Sequence, residues 1–105
     1  MESTGSWRRT HTCGELRIGD VGQTVTLNGW VDARRDHGGI YFVDLRDRYG
    51  VTQIVLSEAV AGEVRLSPED VLSVTGEVLA RDADNVNPER DTGEIELRVE
   101  RVEVL

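Results

Sequence analysis

Between Gln23 and Asp36, apolar and polar positions alternate along the chain. Val25, Leu27, Val31 and Ala33 are small or apolar, whereas Thr24, Thr26, Asn28, Asp32 and Arg34 are polar. A period of two predicts a long strand with one buried face. Gly29 inside it predicts a bulge or a sharp bend. His37-Gly38-Gly39 predicts a turn, since glycine accepts positive φ. A second strand is expected over about Ile40–Arg46 with Val43 and Leu45 inward, and Asp47-Arg48-Tyr49-Gly50 then turns the chain. A third is expected over Val51–Leu56 with Ile54 and Leu56 inward. Glu58-Ala59-Val60-Ala61 predicts a short helical turn, and Ser67-Pro68-Glu69-Asp70 offers a cap residue followed by proline at a first helical position. The fourth strand, about Val71–Arg81, is expected to bury Leu72, Val74, Val78 and Ala80. A polar loop, Asp82–Gly93, leads to a fifth strand near Glu94, with Ile95, Leu97 and Val99 on one face. Val102 and Val104 have the opposite parity, which predicts a bulge near Arg101.

Five strands with one short helical connection between the third and fourth describe an all-β OB-fold, a five-stranded Greek-key barrel. A long, bent first strand suits barrel closure. Another small barrel or an open meander satisfies the same alternation. The 105 residues are enough for one domain, read as a flexible leader at 1–8 and a barrel at 9–105. Residues 1–5 lack the basic-then-apolar pattern of a secretion signal, no apolar run reaches the ~18 residues of a membrane span, and the single cysteine fits a reducing compartment. A cytoplasmic protein without membrane contact is expected.

Charge changes this picture in one respect. The net charge of −8 argues against nonspecific attraction to nucleic acid, but it is unevenly placed. Residues 1–56 hold seven acidic and seven basic side chains, and residues 57–105 hold thirteen acidic and five basic ones. A basic patch can therefore persist in the first half. All twelve basic residues are arginine, which suits RNA contact, because guanidinium stacks on bases and forks onto phosphates. Arginine-rich codon usage gives the same composition.

No catalytic constellation is visible. The phosphate-binding glycine loop, the His-Glu-x-x-His zinc motif and the serine nucleophile elbow are all missing from the sequence. His11 and Cys13 sit two apart without a third ligand, and read as a surface histidine and a part-buried thiol. No metal site is expected from two histidines and one cysteine. Asp44 and Asp47, interleaved with Arg46 and Arg48, read as salt bridges beside a turn.

Binding is better marked. OB-folds hold single-stranded nucleic acid on strands two and three and on the loops between strands one and two and strands four and five. With Val43 and Leu45 inward, Phe42 faces outward and offers a stacking platform, unless a loop covers it. Ile54 inward puts Gln53 outward beside it, and its amide both donates to and accepts from a base edge. Arg34 and Arg35, ending strand one, are placed to hold phosphates or to stack, or else to neutralise Asp32 and Asp36.

Several segments taken in order carry a resemblance. They are Arg9-Thr10-His11-Thr12-Cys13-Gly14-Glu15-Leu16, Gly29-Trp30-Val31, Arg34-Arg35-Asp36-His37-Gly38-Gly39, Phe42-Val43-Asp44-Leu45-Arg46-Asp47, Gly50-Val51-Thr52-Gln53 and Thr92-Gly93-Glu94-Ile95-Glu96. Together they resemble the N-terminal anticodon-binding domain of bacterial aspartyl-tRNA synthetases over about residues 8–105. The resemblance implies that Phe42 stacks on the middle anticodon base, a uracil, and that Gln53 reads its edge. It implies Arg35 near the anticodon bases and Glu94 near the first base, a guanine. Arg81 and the Asn85–Asn87 stretch fall in the loop between strands four and five. The family commonly has a basic residue where this chain has Ala33, which puts one contact in doubt. ATP and magnesium belong to the family's catalytic domain, which the chain, ending at Leu105, is expected to lack, so no aminoacylation is expected of it alone. The implied partner is the anticodon loop of aspartate tRNA. The parent enzyme is expected to be a homodimer and the isolated domain a monomer. A free-standing single-strand-binding OB protein is the alternative.

Overall fold

A computed structural model describes residues 9–61 and 70–105. Five strands, β1 (Thr24–His37), β2 (Ile40–Asp47), β3 (Gly50–Ser57), β4 (Val71–Ala80) and β5 (Ile95–Val104), close into a barrel in the order β1-β2-β3-β5-β4. A four-residue helix, α1 (Glu58–Ala61), follows β3, and single 3₁₀ turns cover Ile18–Asp20 and Ala83–Asn85. This is the expected OB topology. The leader and the Ser67-Pro68-Glu69 start signal lie outside the described residues.

Alternation sets which side chains enter the barrel. Val25, Leu27, Val31, Val43, Leu45, Ile54, Leu56, Leu72, Val74, Val78, Ile95 and Leu97 are all buried, with Cys13 and Leu16 sealing one end. Strand β1 serves two partners. Thr24–Trp30 pair antiparallel with β4, and Trp30–His37 pair with β2. Gly29 sits at this handover, pressed against the Arg46 carbonyl, but the register slips two residues later, where Asp32 is the extra residue between Val31 and Ala33. That slip reverses the parity of the strand, so Ala33 is exposed rather than inward. Ala80, expected inward, is also exposed at the end of β4, although it pairs with the buried Ile95.

The β5 bulge lies where the parity change predicts it. Thr75 pairs with Arg101 and Gly76 with Val99, which leaves Glu100 unpaired and turns Val102 into the core. A short parallel pairing, Ile54 with Leu97 and Val55 with Arg98, closes the barrel between β3 and β5. Gly38 and Gly39 have φ of 61° and 93° in the β1–β2 turn. Left-handed backbone at two adjacent central residues is the geometry that matches strand twist in a two-residue hairpin.

Candidate nucleic-acid interface

On the outer face of β1, β2 and β3, the same alternation that builds the core displays a second row of side chains. Phe42 and Asp44 lie to either side of the inward Val43, and Gln53 pairs directly with Asp44 across β2 and β3. Arg35 pairs with Phe42. The connection from β4 to β5 folds over one side of this row, and Glu96 of β5 faces it, between the inward Ile95 and Leu97. Together they enclose a groove of about 480 Å³, lined by Arg35, His37, Phe42, Gln53, Arg81, Asn85 and Glu96 among others.

Hydrogen bonds fix the polar members. The Gln53 amide oxygen accepts from Arg35 Nη2 at 3.1 Å, and its nitrogen donates to Glu96 Oε1 at 2.9 Å. Asp44, only 4% exposed, accepts from both Arg35 terminal nitrogens at 3.3 and 3.2 Å and from both Arg90 terminal nitrogens at 3.1 and 3.0 Å. Burial pushes the Asp44 carboxyl up, but the bonds from Arg90 and Arg35 outweigh it and hold the group below the usual carboxylate range. Arg81 is clamped by its Nε to the Ile95 carbonyl at 2.8 Å and by Nη1 to the Asn85 carbonyl at 3.2 Å. Its Nη2 is buried, with no hydrogen-bond partner among the described residues. Burial lowers the Arg81 guanidinium from its ordinary value. Phe42 is half-buried and meets the His37 ring edge-on, with centroids 5.4 Å apart at 83°.

Of the seven residues singled out from the sequence, Arg35, Phe42, Gln53, Arg81 and Asn85 share the groove. Two do not line it. Arg34 points to the opposite face of β1, with its guanidinium 5.1 Å from the Tyr41 ring centroid. Glu94 is exposed, and it is its main-chain carbonyl that meets Arg81, accepting from the Arg81 amide at 2.9 Å. Glu96 and His37 line the groove as well, and Asp44 and Arg90 stand behind it, with Asp44 holding Arg35. Parity already put Glu96 and Asp44 outward. No sequence signal located Arg90, because it comes from an irregular loop.

The reading of Asp44 and Asp47 as ion pairs with their neighbours needs correction. Arg46 pairs with Asp32 at 3.1 Å. Asp47 instead accepts main-chain N–H groups from Cys13, Tyr49 and Gly50 at 2.9, 2.8 and 3.1 Å. His11 and Cys13 lie on irregular chain rather than a strand. The Cys13 thiol is fully buried, and burial, reinforced by Asp47, pushes its pKa far up. Among the described residues no group of three or more His, Cys, Asp or Glu is placed to hold a metal ion. None of their helices is long and apolar enough to cross a membrane.

Residues 25–105 match the family model of the OB-fold nucleic acid binding domain. The chain belongs to that family. The domain is 55% identical over 100 residues to an aspartate–tRNA(Asp/Asn) ligase of Caulobacter sp. (strain K31), covering 92% of this chain and 16% of that one. It is also 55% identical over 100 residues to an aspartate–tRNA ligase of Streptomyces griseus, covering 92% of this chain and 17% of the ligase. The chain thus spans about a sixth of the length of these relatives. Among solved structures, it is similar to asparaginyl-tRNA synthetase from Pyrococcus horikoshii complexed with asparaginyl-adenylate, with TM-score 0.74 and 30% identity over 90% of this chain and 22% of that one.

Proposed function

We propose that the domain binds the anticodon loop of aspartate tRNA, as the tRNA-recognition module of an aspartate–tRNA ligase that carries its ATP, magnesium and aspartate chemistry elsewhere in its chain. The observation that carries this reading is the groove itself. The Phe42 and His37 rings, two amides, two carboxylates and two guanidiniums line a space large enough for nucleobases, on the face that OB-folds use for single strands.

In this reading Phe42 stacks on the middle base, uracil. Gln53 reads its edge, because a carboxamide both donates and accepts, as uracil does. Glu96 accepts from guanine at the first position, while Glu94 acts through its main chain by seating Arg81. Arg35 and Arg81 face the phosphates and base edges. Arg34 contributes charge from outside.

The test is titration of the 105-residue chain with the anticodon stem-loop of aspartate tRNA and with a loop altered only at the middle base. The proposal expects clear preference for uracil and loss of that preference in Gln53→Ala. Equal binding of both loops would refute it.

A further inference from the structure

A second feature lies at the other end of β2 and β3, outside the groove. The β2–β3 turn presents Tyr49, which is 55% exposed. Two guanidiniums flank its ring, Arg9 at 5.5 Å and Arg48 at 5.7 Å from the centroid. Beside it is a cavity of about 170 Å³ lined by Gly14, Tyr49, Val51, Arg90 and Thr92 among others. Arg17 reaches the same rim, with Nη1 donating to the Gly14 carbonyl at 2.8 Å.

The seat is rigid. Gly14 and Gly50 approach so closely that a Cβ on Gly14 would lie 2.2 Å from the Tyr49 carbonyl oxygen, and one on Gly50 would lie 2.6 Å from the Gly14 Cα. Thr52 donates to the Cys13 carbonyl at 2.7 Å, and the Thr92 hydroxyl donates to the Val51 carbonyl. The amino-terminal segment, the β2–β3 turn and the β4–β5 loop are therefore tied together under Tyr49. Of the nearby acids, Asp91 lines the cavity and lies 3.9 Å from Arg17, Asp47 is engaged by three main-chain N–H groups and Glu15 accepts from the Thr12 amide. Arg17 is thus matched by Asp91 and Arg90 by Asp44, and the exposed Arg9 and Arg48 are the cations that this rim presents beside Tyr49.

Arg90 links this seat to the groove. It lines the cavity, and its guanidinium shares Asp44 with Arg35. At a rise of ~3.3 Å per residue, the stretch of β2 from Phe42 to Asp47 separates the two stations by ~17 Å. OB-folds occupy ~4–16 nucleotides, so a strand held in the groove is long enough to reach the turn.

We infer that Tyr49, with Arg9 and Arg48 pinned against its ring, is a second RNA station that takes the sugar–phosphate backbone of the strand leaving the groove. The inference rests on the anticodon-loop reading of the groove. Phosphate is the group engaged here, so the station adds affinity and salt dependence without reading sequence.

The test titrates wild type, Arg48→Ala, Arg9→Ala, Tyr49→Ala and Gln53→Ala with the anticodon stem-loop of aspartate tRNA and its middle-base variant, at several salt concentrations. Each arginine variant is expected to bind both loops about three- to tenfold more weakly, with unchanged preference for uracil. Its salt slope should fall by about 0.7–0.9 for each phosphate that is no longer neutralised. Tyr49→Ala is expected to weaken both loops likewise at an unchanged melting temperature. Binding of both arginine variants within twofold of wild type at every salt concentration, while Gln53→Ala still flattens the uracil preference, would overturn the station and leave the groove standing. Loss of uracil preference in the arginine variants would also overturn it, since the turn would then be part of base readout. An unaffected preference in Gln53→Ala would instead bring down the groove reading.

Discussion

Asp44→Asn tests the idea that one buried carboxylate sets the shape of the groove. The substitution keeps the volume and removes the charge that faces Arg35 and Arg90. Four hydrogen bonds between 3.0 and 3.3 Å lose their charge assistance. Breaking a fully buried ion pair costs ~3–5 kcal/mol, but here the arginine side chains are 42% and 28% exposed and recover hydration. Hydrogen bonds to charged groups contribute ~1.5–3 kcal/mol. A loss of about 2 kcal/mol at neutral pH follows, equivalent to roughly 8–12 °C of melting temperature in a domain of this size. Urea unfolding followed by far-UV circular dichroism measures it, from neutral pH down to about pH 2.5, well below the ordinary Asp value. The sign is fixed by linkage. The folded carboxyl titrates below its unfolded value, so the native state binds fewer protons in that window and stability rises with pH. The contribution is complete above the ordinary Asp value of ~3.9 and disappears as pH falls through the lower folded value. Wild type and variant should therefore converge in acid. A gap under about 0.5 kcal/mol at neutral pH would show that hydration of the arginines replaces the pair at no cost, and a gap that persists unchanged into acid would show that the Asp44 charge is not its source.

Three further outcomes are expected. Phe42→Ala should weaken stem-loop binding by about 1–3 kcal/mol with little change in unfolding free energy, because the ring stands outside the core and contributes stacking; a large fall in stability with unchanged RNA affinity would count against it. Ile54→Ala, in the centre of the barrel, should cost about 2–5 kcal/mol of stability in urea titration. The Cys13 thiol, buried and held protonated, should resist iodoacetamide in the native protein at about pH 8 and react once urea unfolds the chain; rapid native alkylation would show that the amino-terminal segment opens locally.

The core was legible because one physical rule, period-two burial, governs each strand until a bulge intervenes. Val25 and Leu27 obey it, and so do Val43, Leu45, Ile95 and Leu97. Where the β5 valines change parity, the sequence carries the bulge openly. The β1 bulge is silent, since the slip at Asp32 is marked only by Ala33, a residue that is acceptable inside or outside. Gly29 drew attention for its missing side chain, yet its role is the close approach to Arg46. The groove was half legible for the same reason. Outward parity between buried neighbours exposes Phe42 and Gln53, and it equally turns Asp44 and Glu96 outward, whose partners are far away in sequence. Arg35 and Asp44 are nine residues apart, but Arg90 and Asp44 are 46 apart and Gln53 and Glu96 are 43 apart. Ion pairs were therefore assigned to sequence neighbours, when the closed barrel offered better ones.

On the anticodon-loop reading proposed above, that pairing would set how the groove discriminates. In the free protein both ends of the Gln53 amide are already bonded, to Arg35 and Glu96. A uracil that enters exchanges those bonds for its own and gains little net energy from them, so affinity must come from stacking on Phe42 and from phosphate contacts. A base with the wrong edge displaces the same bonds and cannot replace them. It leaves a buried amide, or the Glu96 carboxylate, without a partner, at a cost of ~1–3 kcal/mol. On that reading, discrimination would arise from what the wrong base breaks. Asp44 strengthens the effect by holding Arg35 and Arg90 in place, because an arginine free to swing would rescue the orphaned acceptor and blur the difference. Bulk attraction plays a small part in a chain of net charge −8, where counterion release is confined to the few arginines that face the strand.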